Sequence, residues 1–312
     1  MLRVEVLENL KSKFNTTPQE LFLFLHDAPR KYKVYEIPKR TSGTRTIAQP
    51  IPKLKDYQRF IVSILDDHLP VHECCMAYVK GRDIKKNAQI HAKNSFFLKM
   101  DFMDFFHSIT PILFWKACEK QGIKFDWLDK DLLEKILFWK PSKYSKKLVL
   151  SIGAPSSPFV SNFLMYSFDL ELNDFCQRNG IIYTRYADDL TFSTNTSDSL
   201  FCIPDFVRQI LARLYDQKIK INQFKTVFSS KKHNRHVTGL TINNNGNISI
   251  GRAKKRYIKH LIHSFITRNI TVEDLNYLQG YLGFIQYVEP TFLSSLERKY
   301  TQSVIQNIRS GN

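Results

Sequence analysis

The chain has 312 residues, 43% of them hydrophobic and 24% charged, which excludes a disordered chain or a small stapled scaffold and allows about two compact units. Lys and Arg number 46 against 29 Asp and Glu, and the resulting net charge of +17 calls for a polyanionic partner. No apolar run approaches the ~18 residues of a membrane span, and acids and lysines interrupt the first residues, MLRVEVLENLKSKF, so neither membrane nor secretory leader is expected and the cytoplasm is the default.

In chain order, Thr17-Pro18-Gln19-Glu20 reads as a capping box with Pro at the first helical position, opening a helix to about His26. YKVYEIP (32–38) and TRTIAQP (44–50) alternate like strands around the turn Lys39-Arg40-Thr41-Ser42-Gly43, a basic hairpin. Tyr57, Ile61, Ile64 and Leu65 recur at helical spacing between about Lys53 and His68. FFLKMDF (96–102) is a short hydrophobic strand carrying an acid near its end. Pro158 opens a long helix to about Arg178, closed by Gly180. IIYTRY (181–186) and LTFS (190–193) flank Ala187-Asp188-Asp189, which gives a tight hairpin with acids at its tip. A helix near 199–216 precedes the strands KIKIN, TVF, HVTGLTI and NISI, with a turn at Asn245-Gly246, and everything from Arg252 reads as helical.

These elements suggest an α+β body with an appended helical unit. Residues 213–312 hold 16 basic and 5 acidic residues, a net of +11, so the last third is the expected electrostatic grip. The five cysteines, at 74, 75, 118, 176 and 202, show no zinc-ligand spacing and read as reduced core thiols.

Asp188 and Asp189 crowd together where a hydrophobic hairpin turns, and crowded carboxylates need a countercharge. An Asp-Asp pair in a turn is most often a solvated corner. Asp101 becomes a third hard oxygen ligand if its strand neighbours the hairpin, and Mg2+ suits such a set because water and phosphate oxygens fill its remaining positions.

Tyr186-Ala187-Asp188-Asp189 between two strands, preceded by the Asp101 strand, resembles the palm of reverse transcriptases. The resemblance is ordered: Lys39 and Arg45 match the basic fingers hairpin, Asp101 to Phe106 the first catalytic motif, Gly153 to Pro158 the next, Tyr186 to Asp189 the last acids, and Lys225 the lysine motif. Asn87-Ala88-Gln89-Ile90-His91 (NAxxH) and Val237-Thr238-Gly239 (VTG) further resemble the signatures of bacterial retron reverse transcriptases, and favour these over group II intron or diversity-generating enzymes.

The resemblance implies a right-hand polymerase with an antiparallel palm sheet and a helical thumb. Fingers would span 1–93 with an insertion near 120–150, the palm 94–119 and 151–240, and the thumb 241–312. It implies two Mg2+ ions on Asp101, Asp188, Asp189 and the Phe102 carbonyl, with Lys39 (or Arg40) and Arg45 on the dNTP triphosphate. Gly153 would let backbone approach the nascent pair. Phe106 aligns with the gate that excludes a ribose 2′-OH, with Phe105 as the competing assignment. Lys225 would protonate the leaving pyrophosphate, or be a solvated strand lysine. Many relatives carry Gln before Gly153; this chain has Ile152.

Asn87 and His91 fall on one helical face, to contact structured RNA or form a structural polar pair. Thr238 and Gly239 stand between RNA contact and an ordinary strand or bulge. Arg252, Lys254, Lys255, Arg256 and Lys259 form a charged face that fits a thumb gripping a duplex. Gly280 and Gly283 suggest close helix packing. Retron resemblance also implies a noncoding RNA as template and primer, an RNA-linked msDNA product, phage defence, and a separate effector such as an ATPase with an HNH nuclease. The rivals are an RNA-replicating polymerase and a scaffold that holds msDNA and an effector.

Overall fold

Local sequence signals account for most of the N-terminal half of the computed structural model, which describes residues 5–39 and 43–311. Helix α1 (Val6–Phe14) leads to α2 (Pro18–Leu25), where the Thr17 hydroxyl accepts from the Glu20 N–H and the Glu20 carboxylate accepts from the Thr17 N–H at 2.9 Å. Strands β1 (Tyr32–Pro38) and β2 (Thr44–Pro50) pair antiparallel, from Tyr32 opposite Pro50 to Pro38 opposite Thr44. Helix α3 (Pro52–Leu65) buries Leu54, Tyr57, Ile61 and Leu65, the stripe expected from spacing. Next come α4 (Ile84–His91), β3 (Phe96–Met103), α5 (Phe105–Ser108), α6 (Pro111–Lys120) and α7 (Trp127–Leu137). Helix α7 packs back on α1–α3, and the Gln58 side chain donates to the Ile136 carbonyl at 2.8 Å.

The helix expected from Pro158 to Arg178 is two, α8 (Ser157–Leu164) and α9 (Tyr166–Arg178). They meet at Met165, whose ψ of −4° opens the helical path, while backbone bonds from Met165 to Ser161 (3.1 Å) and from Asp169 to Met165 (2.8 Å) bridge the bend. No proline or glycine marks it.

Beyond lie β4 (Ile182–Tyr186), β5 (Asp189–Thr194), α10 (Ile203–Tyr215), β6 (Lys220–Ile221) and β7 (Val227–Ser230). These strands form one antiparallel sheet in the order β4-β5-β3-β6, with β7 also on β3. Leu98, Met100, Phe102, Tyr183, Leu190 and Phe192 fill one face and join a core that includes Phe114, Phe163 and Phe168. Pleating sends Lys99, Asp101, Thr184, Tyr186, Asp189, Thr191 and Ser193 to the other face.

HVTGLTI is a hairpin rather than one strand: β8 (Arg235–Val237) and β9 (Leu240–Ile242) flank Thr238 and Gly239, whose φ values of +46° and +81° define the turn. Strand β10 (Ile248–Ser249) completes a three-stranded sheet, so a palm–thumb boundary at 240 would divide that sheet. Helices α11 (Arg252–Ile266), α12 (Val272–Val288), α13 (Pro290–Tyr300) and α14 (Gln302–Ser310) share a second core with this sheet and with Ala88, Ala92 and Phe97. Gly280 and Gly283 take no part in that packing, because a Cβ at either would meet nothing within 4 Å. Four cysteines are buried as expected, while Cys202 is exposed. Among the described residues no helix is long and apolar enough to cross a membrane.

Candidate active site

Strand β3 runs beside β5 with Asp101 directly opposite Asp189, and the β4–β5 hairpin turns through Ala187 and Asp188. Ala187 sits at φ +57°, and the Phe102 N–H donates to the Asp188 carbonyl at 3.1 Å, fastening the turn to β3. Like charges opposite each other across a sheet repel. Burial, then Asp188 and Asp101, push the Asp189 carboxyl up to about 7. Burial and Asp101 also raise Asp188, with Lys225 and Arg45 partly offsetting them.

Lys225 is held in a single 3-10 turn (Gln223–Lys225), not on a strand. The Asn222 N–H donates to the Asp101 carbonyl at 2.7 Å, and the Lys225 ammonium reaches Asp101 Oδ2 at 2.8 Å. Desolvation works against the charged ammonium, but its bond to Asp101 and the attraction of all three acids outweigh it, so the pKa of Lys225 is raised.

The fingers hairpin reaches the same point. Arg45 is near enough to Asp188 to favour its charged form, and Lys39 does the same for Asp104. Arg40, the alternative to Lys39, lies outside the described residues. Gly153 lies against β2: a Cβ there would stand 3.1 Å from the Ala48 carbonyl and 3.2 Å from Ile47 Cγ2. The Ala48 N–H donates to the Ile152 carbonyl at 2.9 Å, so this loop docks the hairpin over the palm through backbone, with no glutamine side chain. Phe105 is buried and stacks on Phe102 at 5.2 Å, whereas Phe106 is half-buried, which separates the two candidate gates.

A groove of about 600 Å³ runs from Asp101 and Asp189 past Tyr186 and Lys99 to His236, Thr238 and Gly239, with Lys225 and Phe224 on its rim. The Thr238 hydroxyl donates to the Ile84 carbonyl at 3.2 Å, so the VTG turn docks on the first turn of the NAxxH helix. Asn87 and His91 are not at the surface: both are fully buried. His91 bonds Ser193 and Thr184 at 2.7 Å each, and Thr184 donates to Asn87 at 2.6 Å. Burial suppresses the His91 charge and takes its pKa down to about 3. Direct RNA contact is therefore closed to this pair; they tie α4 to the palm strands.

On α11, Arg252 and Arg256 are exposed, Lys254 lies over the Tyr277 and Tyr281 rings at 5.6 Å each, and Lys259 lies 5.8 Å from the Phe292 ring. Lys255 is half-buried and paired with Glu289, so its charge is spent within the protein.

Three residues escaped the sequence reading. Phe224, 97% exposed beside Lys225, carried no periodic signal. Tyr78, 59% exposed at φ +60°, has its pKa raised by burial and by Asp188. Arg185 is fully buried, and its place directly before Tyr186-Ala187-Asp188-Asp189 was a signal available in the string.

The antiparallel sheet that carries the acid-tipped hairpin, with the basic hairpin docked over it, is the palm of a right-hand polymerase. Apo telomerase from Candida tropicalis shares the fold, with a TM-score of 0.51 over 90% of this chain and 61% of that one at 12% identity. The reverse transcriptase (RNA-dependent DNA polymerase) family matches residues 37–242. The Retron Ec83 reverse transcriptase of Escherichia coli is 48% identical over 279 residues, 89% of each chain, and the Retron Ec73 enzyme of the same species is 33% identical over 91% of this chain and 92% of its own. The chain belongs to the retron reverse transcriptases and is an RNA-directed DNA polymerase.

Proposed function

We propose that this enzyme copies a cognate noncoding RNA, which also primes it, into branched RNA-linked DNA (msDNA) by two-metal phosphoryl transfer from dNTPs. The observation that carries this reading is Asp101 directly opposite Asp189 at the head of the groove, with Asp188 next to Asp189 in the hairpin turn and close enough to Asp101 to be raised by it, in a chain 48% identical to a retron reverse transcriptase. Enzymes of this family use divalent metal ions.

The donor set fits Mg2+. It is all hard oxygen, and its self-repulsion, enough to lift Asp189 to about 7, is what a divalent cation relieves. Bound there, two such ions would activate the attacking hydroxyl and stabilise the leaving pyrophosphate.

Within this reading Asp101, Asp188 and Asp189 hold the ions, with the Phe102 carbonyl beside them. Arg45 and Lys39 bind the triphosphate, Arg45 by a fork to phosphate oxygens and Lys39 as a point charge. Lys225, kept protonated by the acids around it, stands ready to give its proton to pyrophosphate. Phe106 fills the space a ribose 2′-OH would need, and Gly153 lets its loop lie close against β2, so that the backbone there can border the nascent pair. Thr238 and the basic residues of α11 other than Lys255, which Glu289 engages, hold nucleic acid along the groove and thumb, through phosphates rather than base edges.

By the family reading, the first nucleotide joins an internal guanosine 2′-OH. The product serves anti-phage defence with a separate effector, for which an ATPase with an HNH nuclease is the pairing we favour. The test is to purify the protein with its nucleic acid from the native host and sequence that material before and after debranching. A DNA joined 2′–5′ to RNA is expected, and it should vanish in Asp188→Asn/Asp189→Asn. Unbranched RNA alone from the wild type would overturn the proposal, and so would equal incorporation of ribonucleotides.

A further inference from the structure

Arg185 lies on the core face of β4, opposite the groove, as a fully buried charge one residue before Tyr186. Its Nε donates to Asp169 at 2.9 and 3.0 Å and its Nη2 at 2.7 Å; Asp169 also accepts from the Tyr183 hydroxyl at 2.9 Å. A buried ion pair of this kind is seldom more stabilising than well-packed apolar side chains, so stability alone does not account for it.

The remaining nitrogen points elsewhere. Nη1 donates to the Ala187 carbonyl and to Asn162 Oδ1, at 3.1 Å each. Ala187 is held at φ +57°, a left-handed conformation that a residue with a Cβ adopts under constraint. The Arg185 backbone is tied as well: its N–H donates to the Cys74 carbonyl at 2.9 Å and its carbonyl accepts from Met76 at 2.7 Å. Asn162 completes the node by donating to the Ala77 carbonyl at 2.9 Å. The guanidinium thus joins the carboxylate turn to both helices of the α8–α9 bend, while the Arg185 backbone and Asn162 tie the same node to the segment Cys74–Ala77.

We propose that Arg185 is a positioning residue for polymerisation: aimed by Asp169 and Asn162, it holds the Ala187 carbonyl and so sets where the Asp188 and Asp189 carboxylates stand relative to Asp101. The proposal rests on the catalytic reading of those three acids. A lysine would keep the charge, but a single ammonium cannot fork Asp169 and also reach both Asn162 and Ala187. Residues that orient metal ligands typically change metal affinity by roughly 10- to 100-fold when replaced.

The test compares full-length Arg185→Lys with wild type in three measurements. In metal-free protein, hydrogen exchange should speed up by about tenfold or more, the scale of one lost tie, in peptides carrying the Phe102 amide and the 186–190 turn. Mn2+ affinity, read by paramagnetic resonance, should fall by roughly 10- to 100-fold. On a primed template kcat should drop by about 100-fold with the KM for dNTP unchanged. Tyr183→Phe, which loses a bond behind Asp169 but leaves Nη1 in place, should lower the Tm and leave turn exchange and Mn2+ affinity at parent values. If Arg185→Lys does not fold, Asn162→Ala removes the other acceptor of Nη1 and is read in the same way. A folded variant with parent exchange and parent Mn2+ affinity overturns the proposal, and so does Tyr183→Phe shifting both as far. The underlying catalytic reading fails separately, if Asp188→Asn keeps polymerase activity.

Discussion

At the scale of single residues, the carboxylate cluster sets function against stability. The folded Asp189 carboxyl, raised to about 7, lies above its ordinary 3.8. Its contribution is fully present below about 3.8 and is lost as pH rises through about 7, so at pH 8 the metal-free protein carries an unrelieved charge. Asp189→Asn should therefore stabilise the chelator-treated protein at pH 8 by roughly 1–3 kcal/mol, seen as a higher Tm. The same change should cut polymerisation by about 1000-fold, the several kcal/mol expected of a metal ligand. A lower Tm in chelator would show that the acids are not in mutual repulsion. Phe106 gives a second residue-scale expectation. With Phe105 committed to its stack on Phe102, Phe106→Ala should raise ribonucleotide incorporation relative to deoxynucleotide by about 100-fold, while Phe105→Ala should chiefly lower stability. Competition between dNTP and rNTP on one primed template reads this directly.

At the scale of elements, what was legible in the sequence is what local physics decides. The capping box at Thr17, the β1–β2 pairing and the acid-tipped hairpin at 187–189 follow from short-range periodicity and turn chemistry, and they formed where expected. The placement of Asp101 opposite Asp189 came only through family resemblance, since no local signal pairs strands nearly ninety residues apart. The α8–α9 bend was invisible because Met165 is a good helix former, and Asn162 and Asp169, on either side of it, bond an arginine some twenty residues further along the chain. Asn87 and His91 looked like a polar face because their partners, Thr184 and Ser193, lie about a hundred residues on. Helix α4 is in fact a bracket between the palm sheet and the β8–β10 sheet, which makes it sensitive to acid. Its His91 stays neutral down to about 3 when folded but takes a proton near 6.5 when unfolded. The unfolded chain thus binds more protons below pH 6.5, and stability falls on acidification by up to about 1.4 kcal/mol per pH unit. Urea unfolding at pH 5 and pH 7 should show this loss, and His91→Gln, though less stable at pH 7, should flatten it. An equally steep slope in the variant would assign the acid sensitivity to other groups.

At the scale of the whole molecule, the +17 charge becomes a question of which cations are free to meet phosphate. The last hundred residues carry most of the excess, yet their lysines and arginines are not equivalent. Lys255 is committed to Glu289, a contact that ties the start of α11 to the α12–α13 junction. Arg252 and Arg256 are exposed on the same helix, one turn apart. Each phosphate contact on a duplex adds about 0.9 to the slope of log K against log salt. Arg252→Ala with Arg256→Ala should therefore reduce that slope by about 1–2 and weaken binding alike on unrelated RNA–DNA duplexes, as phosphate contacts do. Lys255→Ala should leave the slope within experimental error of wild type and instead lower the Tm, because it strands the half-buried Glu289 carboxylate without its partner. Fluorescence anisotropy across a salt series, beside thermal melts of the same proteins, separates the two outcomes. A slope change from Lys255→Ala as large as that from the arginine pair would mean that the Glu289 contact opens when nucleic acid binds, making the pair a latch on the thumb rather than a brace within it.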